Sequence, residues 1–235
     1  MKMVCLIPTL NESPTIREVL NRAYGLTDLT VVVDGNSSDD TISVAKDSGA
    51  EILTQEGMGK GMAIQTALEK IDGDIYVIID GDATYDASEM NEMISPILKD
   101  EVDMVIGSRL LGQMEKGAIS RTHLLGNRLF NALINLLNHS NITDSQSGFR
   151  AVDGRVLKNL RLNSKGFEIE TEMTVRALKN GLRVKEVPIS YKGRKGTSSK
   201  LNGLAAGIRI VRTILRCSFE KPITSSGRTK IFLEP

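Results

Sequence analysis

Ile75–Ile79 is the most apolar short run in the chain, and it leads without a break into Asp80-Gly81-Asp82. A short apolar run without alternation suits a strand buried on both faces, as happens when helices cover both sides of a parallel sheet. Val4–Pro8, Leu29–Val33, Glu51–Thr54 and Asp103–Ile106 read as further short strands. Helical spacing between them predicts a helix after Ser13-Pro14, capped by Ser13, and helices over Asp39–Ser48, Gly59–Lys70 and Ser88–Leu98. Strands alternating with helices predict an α/β fold with a mostly parallel central sheet and helices on both faces.

The second half follows a different rhythm. Apolar residues at 125, 129, 133, 136 and 137 predict a long helix over Leu124–Leu137, and Ile169–Lys179 reads as another. Leu182–Tyr191 alternates like a strand returning to the sheet, and Lys192–Lys200 is a loop rich in Gly, Ser and Lys. Beyond it, Leu201, Leu204, Ile208, Val211 and Leu215 share one helical face, with Arg209, Arg212 and Arg216 on a neighbouring stripe. That pattern has two readings: an interfacial helix that meets anionic lipid, or a helix packed on its own core or on a second subunit. The expected organisation is one domain over 1–201, an amphipathic interfacial helix over 202–219 and a weakly ordered tail over 220–235.

With 235 residues the chain can bury one sizeable core without dividing. Its net charge of +1 offers no bulk attraction for nucleic acid, so no such partner is expected. Two distant cysteines, Cys5 and Cys217, exclude a disulfide framework and fit a reducing compartment. Cys5 reads as a small buried residue. The first apolar stretch is too short for a signal peptide, and no apolar run approaches the ~20 residues of a membrane span. A cytoplasmic location is expected, soluble or peripheral on the cytoplasmic membrane face.

Ligands of open α/β sheets bind beyond the carboxyl ends of the strands. Four polar clusters fall there: Pro8-Thr9-Leu10-Asn11-Glu12, Asp34-Gly35-Asn36-Ser37, Asp80-Gly81-Asp82 and Gly107-Ser108-Arg109. Asp80 and Asp82 can together hold one hard divalent cation, which would bridge a diphosphate and neutralise the charge on a departing nucleoside diphosphate. Gly81 between them lets backbone approach closely. A bare Asp-x-Asp is common and ordinarily just an acidic loop; the three neighbouring clusters are what lift it. The segment Gly57-Met58-Gly59-Lys60-Gly61 is not a Walker A loop, because no Ser or Thr follows the lysine. Lys60 either faces donor phosphate from a helix start or belongs to a flexible helix beginning.

These residues carry a resemblance to the family 2 glycosyltransferases, and among them to the dolichyl-phosphate sugar synthases (the dolichol-phosphate mannosyl- and glucosyltransferase group). Pro8-Thr9-Leu10-Asn11-Glu12 resembles the family's P-x-Y-N-E opening, and Val33–Thr41 its VDDGSSDGT segment. Gly59-Lys60-Gly61 with Ala63 resembles GKGxA, Asp80-Gly81-Asp82 the DAD metal motif, and Gly107-Ser108-Arg109 the GSR motif. Asp144–Arg150 resembles DxxSGFR, and Glu186–Ile189 with Arg194, Ser199 and Lys200 resembles EVPIxxxxR…SK. The match runs over about residues 3 to 201. The chain departs from the pattern at Leu10 (usually aromatic), Gly35 (often a second Asp) and Thr84 (usually an amide).

The resemblance implies a GT-A (nucleotide-diphospho-sugar transferase) fold over 1–201, a Mg²⁺ or Mn²⁺ ion and an inverting transfer from a nucleotide-sugar. A UDP-sugar is the favoured donor, with GDP-mannose as the alternative, and polyprenyl or dolichyl phosphate is the expected acceptor. The implied donor site is Pro8, Thr9, Leu10, Glu12, Asp34, Lys60, Asp80, Gly81, Asp82, Arg109, Arg194 and Lys200. Asp80, Asp82 and Thr84 fall on the metal, and Asp82, Arg109 and Arg194 are the expected catalytic residues. Arg121, Ser147, Arg150, Glu170, Glu172 and Ser199 are expected on the acceptor side. A lipid phosphate oxygen is already anionic near neutral pH, so positioning and electrostatics would carry most of the catalysis. Glu170 and Glu172 would act in acid–base work if the acceptor were a hydroxyl; otherwise they and Glu168 complement a helix dipole. Neither His123 nor His139 has a metal-like partner spacing, and His139 reads as a helix-end residue. Two competing readings are a transferase with a soluble hydroxyl acceptor and a non-catalytic nucleotide-sugar-binding subunit.

Overall fold

The computed structural model describes residues 1–194, 196 and 203–222. Within them, seven strands form one sheet: β1 (Met3–Thr9), β2 (Leu29–Asp34), β3 (Glu51–Thr54), β4 (Ile75–Ile78), β5 (Met104–Ser108), β6 (Arg150–Asp153) and β7 (Val184–Pro188). Their order is β3-β2-β1-β4-β6-β5-β7. Every neighbouring pair is parallel except those of β6, which runs antiparallel between β4 and β5. Helices connect the strands: α1 (Ile16–Ala23), α2 (Thr41–Asp47), α3 (Lys60–Lys70), α4 (Met90–Leu98), α5 (Arg121–Asn138), α6 (Gly154–Asn159), α7 (Ile169–Lys179) and α8 (Gly203–Phe219).

The uninterrupted apolar strands are explained by burial on both faces. Cys5, Ile7, Val32, Val77 and Val105 point to one layer, packed with α1 and α4 side chains such as Ile16, Val19, Met90 and Met93. Val4, Leu6, Val31, Ile78 and Ile106 point to the other, packed with Ile64 of α3 and Ile169 and Met173 of α7. Cys5 is fully enclosed, and burial pushes its thiol up to about 12. A third cluster, Ile134, Val175, Ile210, Ile214 and Cys217, joins α5, α7 and α8.

Several boundaries differ from the pattern reading. Ser13 does not cap α1. The Thr15 and Ile16 N–H groups both donate to the Glu12 carbonyl, so a turn comes first and the helix begins at Ile16. Strand β5 runs on through Gly107 and Ser108, leaving Arg109 just past its end. The motif read as DxxSGFR ends inside β6, whose four residues, RAVD, are too short and too charged at the ends to register as a strand. His139 caps α5 in the left-handed conformation with φ 50°. In α8 the buried face is Ala206, Ile210, Ile214 and Cys217, whereas Ile208 and Leu215 of the anticipated stripe remain exposed. One face of the helix thus packs on the protein's own core, and another stays exposed. Ser199, Lys200 and Leu201 lie outside the described residues, as does the tail from 223.

Because Ile214 is fully buried in the α5–α7–α8 cluster, Ile214→Ala is expected to cost about 2–4 kcal/mol, read from the urea midpoint at constant slope.

Candidate active site

Parallel strands end their main-chain pairing at one edge, and the polar clusters gather there. Thr9 and Asp34 are register partners at the ends of β1 and β2. Asp80 follows β4 by two residues, and Gly81 lies over Thr9, whose methyl would stand 2.5 Å from a Cβ at Gly81. The Thr15 hydroxyl donates to the Gly81 carbonyl at 2.8 Å and pins the loop from the other side.

Both carboxylates of the Asp80-Gly81-Asp82 loop face cations. The Lys60 ammonium, at the start of α3, pairs with Asp80 and, at 2.5 Å, with Glu170 of α7. Burial disfavours this ammonium, but the charges of Asp80 and Glu170 outweigh that and raise its pKa, so Lys60 is charged. Burial likewise pushes the Glu170 carboxyl up, while Lys60 pulls it back. Arg194 bridges Asp82 and Glu12, donating to the Glu12 carboxylate at 3.1 Å. Burial and the charge of Asp80 raise the pKa of Asp82, against Arg194 and Thr84. Thr84 orients that carboxylate: its N–H and hydroxyl both donate to Asp82 Oδ1, at 3.0 and 2.6 Å.

Lys60, Asp80, Asp82, Glu170 and Arg194 share the wall of a cavity of about 660 Å³ with Tyr85, Arg109, Gln146 and Tyr191. Arg109 donates twice from its side chain to Asp144, at 2.8 and 2.7 Å, and its guanidinium lies 5.1 Å from the centroid of Tyr191. Burial alone would lower the pKa of Arg109, but neighbouring groups, Asp144 among them, raise it well above the usual value. The Tyr85 hydroxyl accepts the Gly148 N–H at 2.8 Å. Gly148 is a glycine for want of room: a Cβ there would lie 2.6 Å from Asp80 Oδ2 and 2.8 Å from Lys60 Nζ.

Some anticipated contact residues sit elsewhere. Arg150 is fully buried, and its guanidinium is spent on the carbonyls of Ser145 and Ser147 and on the Thr174 hydroxyl. Ser147 is buried with it, so the two build the loop from beneath rather than meeting an acceptor. Glu172 is also fully buried and points away from the cavity. It accepts the N–H groups of Asn163 and Ser164 and pairs with Arg176 and Arg216. Glu170 alone of the helix-start glutamates reaches the cavity. Arg121 is exposed at the start of α5, between Ser120 and Thr122 of the cavity wall. Pro8 and Leu10 stand partly open and exposed at the end of β1. Tyr85, Tyr191, Gln146 and His123 were not anticipated; two of only four tyrosines in the chain was the available signal.

The donor set fits a divalent cation shared with a ligand. Among the described residues no group of three or more His, Cys, Asp or Glu side chains forms a protein-only cage. Two carboxylates that leave the remaining positions to diphosphate oxygens and water match the way Mg²⁺-like ions are held. Asp80 and Asp82 would hold it; Thr84, expected as a third contact on the metal, instead donates its N–H and hydroxyl to Asp82 Oδ1.

The fold is that of the GT-A glycosyltransferases. The chain belongs to Glycosyl transferase family 2, whose signature spans residues 4–161. It is 36% identical over 230 residues to Glycosyltransferase AglJ of Haloferax volcanii, covering 95% of this chain and 75% of AglJ. It is 30% identical over 224 residues to a dolichyl-phosphate hexose transferase of the same organism, covering 93% and 95%. Its fold matches glucosyl-3-phosphoglycerate synthase from Mycobacterium tuberculosis, solved with Mn²⁺, UDP-glucose and phosphoglyceric acid, at a TM-score of 0.77. That match has 26% identity over 96% of this chain and 82% of the synthase.

Gly148→Ala is expected to displace the Asp80 carboxylate and lower kcat by ~10²-fold while the melting temperature changes little. Steady-state kinetics with a melting curve on the same sample checks this; full activity would mean the loop has slack.

Proposed function

We propose that this glycosyltransferase moves a hexose, with inversion, from a UDP-sugar to a polyprenyl or dolichyl phosphate, using Mg²⁺ or Mn²⁺. GDP-mannose is the alternative donor. The observation that carries the reading is the cavity lined by Asp80 and Asp82 together with Lys60, Arg109 and Arg194. Carboxylates that could hold a metal and cations around one space suit two anionic substrates brought together. The ion, held by Asp80 and Asp82, would supply Lewis-acid stabilisation of the departing diphosphate. This chain's own residues supply the rest. Arg194 and Lys60 are placed to neutralise donor phosphate, and Arg109, braced by Asp144 and Tyr191, to hold acceptor phosphate. Lys200 and Ser199 would add to the donor and acceptor contacts respectively, and Arg121 to the acceptor side.

Two features support a nucleotide donor. Asp34 is fully buried at the end of β2, and among the described residues nothing donates to its Oδ1, which a base N–H would satisfy. The dolichyl-phosphate hexose transferase relative and the UDP-glucose complex of the structural neighbour favour the acceptor and donor classes respectively. That neighbour's phosphoglyceric acid favours the second reading, a soluble hydroxyl acceptor with Glu170 as base. Against it, Glu170 is already paired with Lys60. On either reading the protein would work in the cytoplasm, and on the first at the cytoplasmic membrane face.

The deciding experiment incubates the protein with Mn²⁺, polyprenyl phosphate and labelled UDP-glucose, UDP-N-acetylglucosamine or GDP-mannose, and extracts labelled lipid. Product from a UDP-sugar, lost on chelation and restored by Mn²⁺ or Mg²⁺, is the expected result; transfer to phosphoglycerate alone would install the second reading. Asp82→Ala should lower kcat/KM by about a thousandfold, and unchanged turnover would sink the metal-centred mechanism. Asp34→Ala should raise donor KM about tenfold with little change in kcat.

A further inference from the structure

Past β7 the chain leaves the sheet, yet from Ile189 to Gly193 every main-chain N–H has an acceptor. Ile189 donates to the Ser108 carbonyl at 3.2 Å, Tyr191 to that of Gln113 at 2.8 Å and Lys192 to that of Thr84 at 2.8 Å. Ser190 donates to both carboxylate oxygens of Glu89, at 3.1 and 3.0 Å. Gly193 donates to Glu115 Oε2 at 2.7 Å. The end of β5, the segment after it, the loop of Asp82 and the start of α4 thus all hold one short stretch that has no helix or strand of its own. Backbone donors outside regular structure need partners, but here side chains reach in to complete the set.

Glu115 stands in the segment between β5 and α5, three residues before Ala118, which with Ile119 lines the cavity. Its own N–H donates to the Tyr191 carbonyl at 2.8 Å, and its carbonyl accepts the Ala118 N–H at 3.0 Å. Its carboxylate then reaches Gly193, so one residue grips the chain on both sides of Lys192. The side chain is exposed, and an exposed contact of this kind contributes little to stability. What it fixes is the pivot of a long arm. Glycine has the greatest backbone freedom of any residue, and Gly193 immediately precedes Arg194, whose guanidinium bridges Asp82 and Glu12. A small rotation at 193 would become a large displacement at the guanidinium.

We propose that Glu115 is a positioning residue for Arg194: by accepting the Gly193 N–H it sets the point from which Arg194 reaches the Asp82 carboxylate and the donor phosphates. The same residue carries the cavity wall at Ala118, so the wall and the arginine are held in one register. The effect on the donor rests on the reading that Arg194 meets donor phosphate; the anchor at Gly193 does not.

Hydrogen–deuterium exchange on the free protein reads the anchor directly. Glu115→Ala is expected to speed exchange over residues 189–194 by about tenfold. Glu115→Gln keeps an oxygen that accepts the N–H and drops the charge, so it should exchange as the wild type does. Titration calorimetry with UDP and Mn²⁺ reads the consequence. Glu115→Ala should weaken UDP by about tenfold, and Glu115→Gln should match the wild type. Glu115→Ala added to Arg194→Ala should weaken it no further than Arg194→Ala alone. The melting temperature should hold in both variants at 115. Unchanged exchange in Glu115→Ala overturns the proposal and leaves the donor reading untouched. Losses that add in the double variant overturn it too, because Glu115 would then act apart from Arg194. If Arg194→Ala binds UDP as the wild type does, Arg194 leaves the donor site and the positioning role goes with it. Wild type that binds neither UDP nor GDP removes the donor reading, while faster exchange in Glu115→Ala still supports the anchor.

Discussion

The ammonium of Lys60, enclosed between Asp80 and Glu170, is the contact on which the site depends. It ties the start of α3, the loop after β4 and the first turn of α7 to one point. A buried charge of either sign is costly alone, so each of the three groups is tolerable only while the others are there. One cation between two carboxylates leaves a net of one negative on the cavity wall. Gly148 and Tyr85 close around the same trio and leave no space for it to relax sideways.

The opposite wall is built by a relay of carboxylates. Glu186, in β7, accepts the N–H groups of Thr143 and Asp144 at 2.8 Å each. Asp144 then grips Arg109, and Arg109 lies over Tyr191. Beneath, Arg150 gathers the carbonyls of Ser145 and Ser147, so the segment between α5 and β6 is held by side chains rather than by secondary structure. An irregular segment with this many fixed partners is rigid enough to position a cation for an anionic substrate.

Much of the strand-end side of the cavity was legible in the sequence. Short β-branched runs predict parallel strands, and the ends of such strands put Thr9, Asp34 and Asp80 on one edge. The side built from the second half of the chain was less legible because its residue types do not declare their direction. Arg150 and Arg109 both read as cations for a substrate, yet one is fully buried under the loop and the other faces the cavity. Glu170 and Glu172 are two residues apart on a helix, about 200° around its axis, so only one can reach the site. Strand β6 is short, antiparallel and inserted out of sequence order, and no local periodicity announces such a pairing.

The glycines at the start of α3 have a mechanical meaning. A Cβ at Gly59, held at φ 102°, would lie 2.5 Å from the Lys165 carbonyl, and one at Gly61 2.0 Å from that of Ser164. Main chain therefore bears directly on main chain, with the Met62 N–H donating to Lys165 and Gln65 to Ser164. The N–H groups of Asn163 and Ser164 are in turn held by Glu172, which also pairs with Arg216 of α8. Long side chains act as springs and take up small displacements, whereas backbone pressed on backbone passes them on. The segment at Ser164-Lys165 and the root of Lys60 thus belong to one stiff linkage, and a shift of that segment would be felt at Asp80 through Lys60.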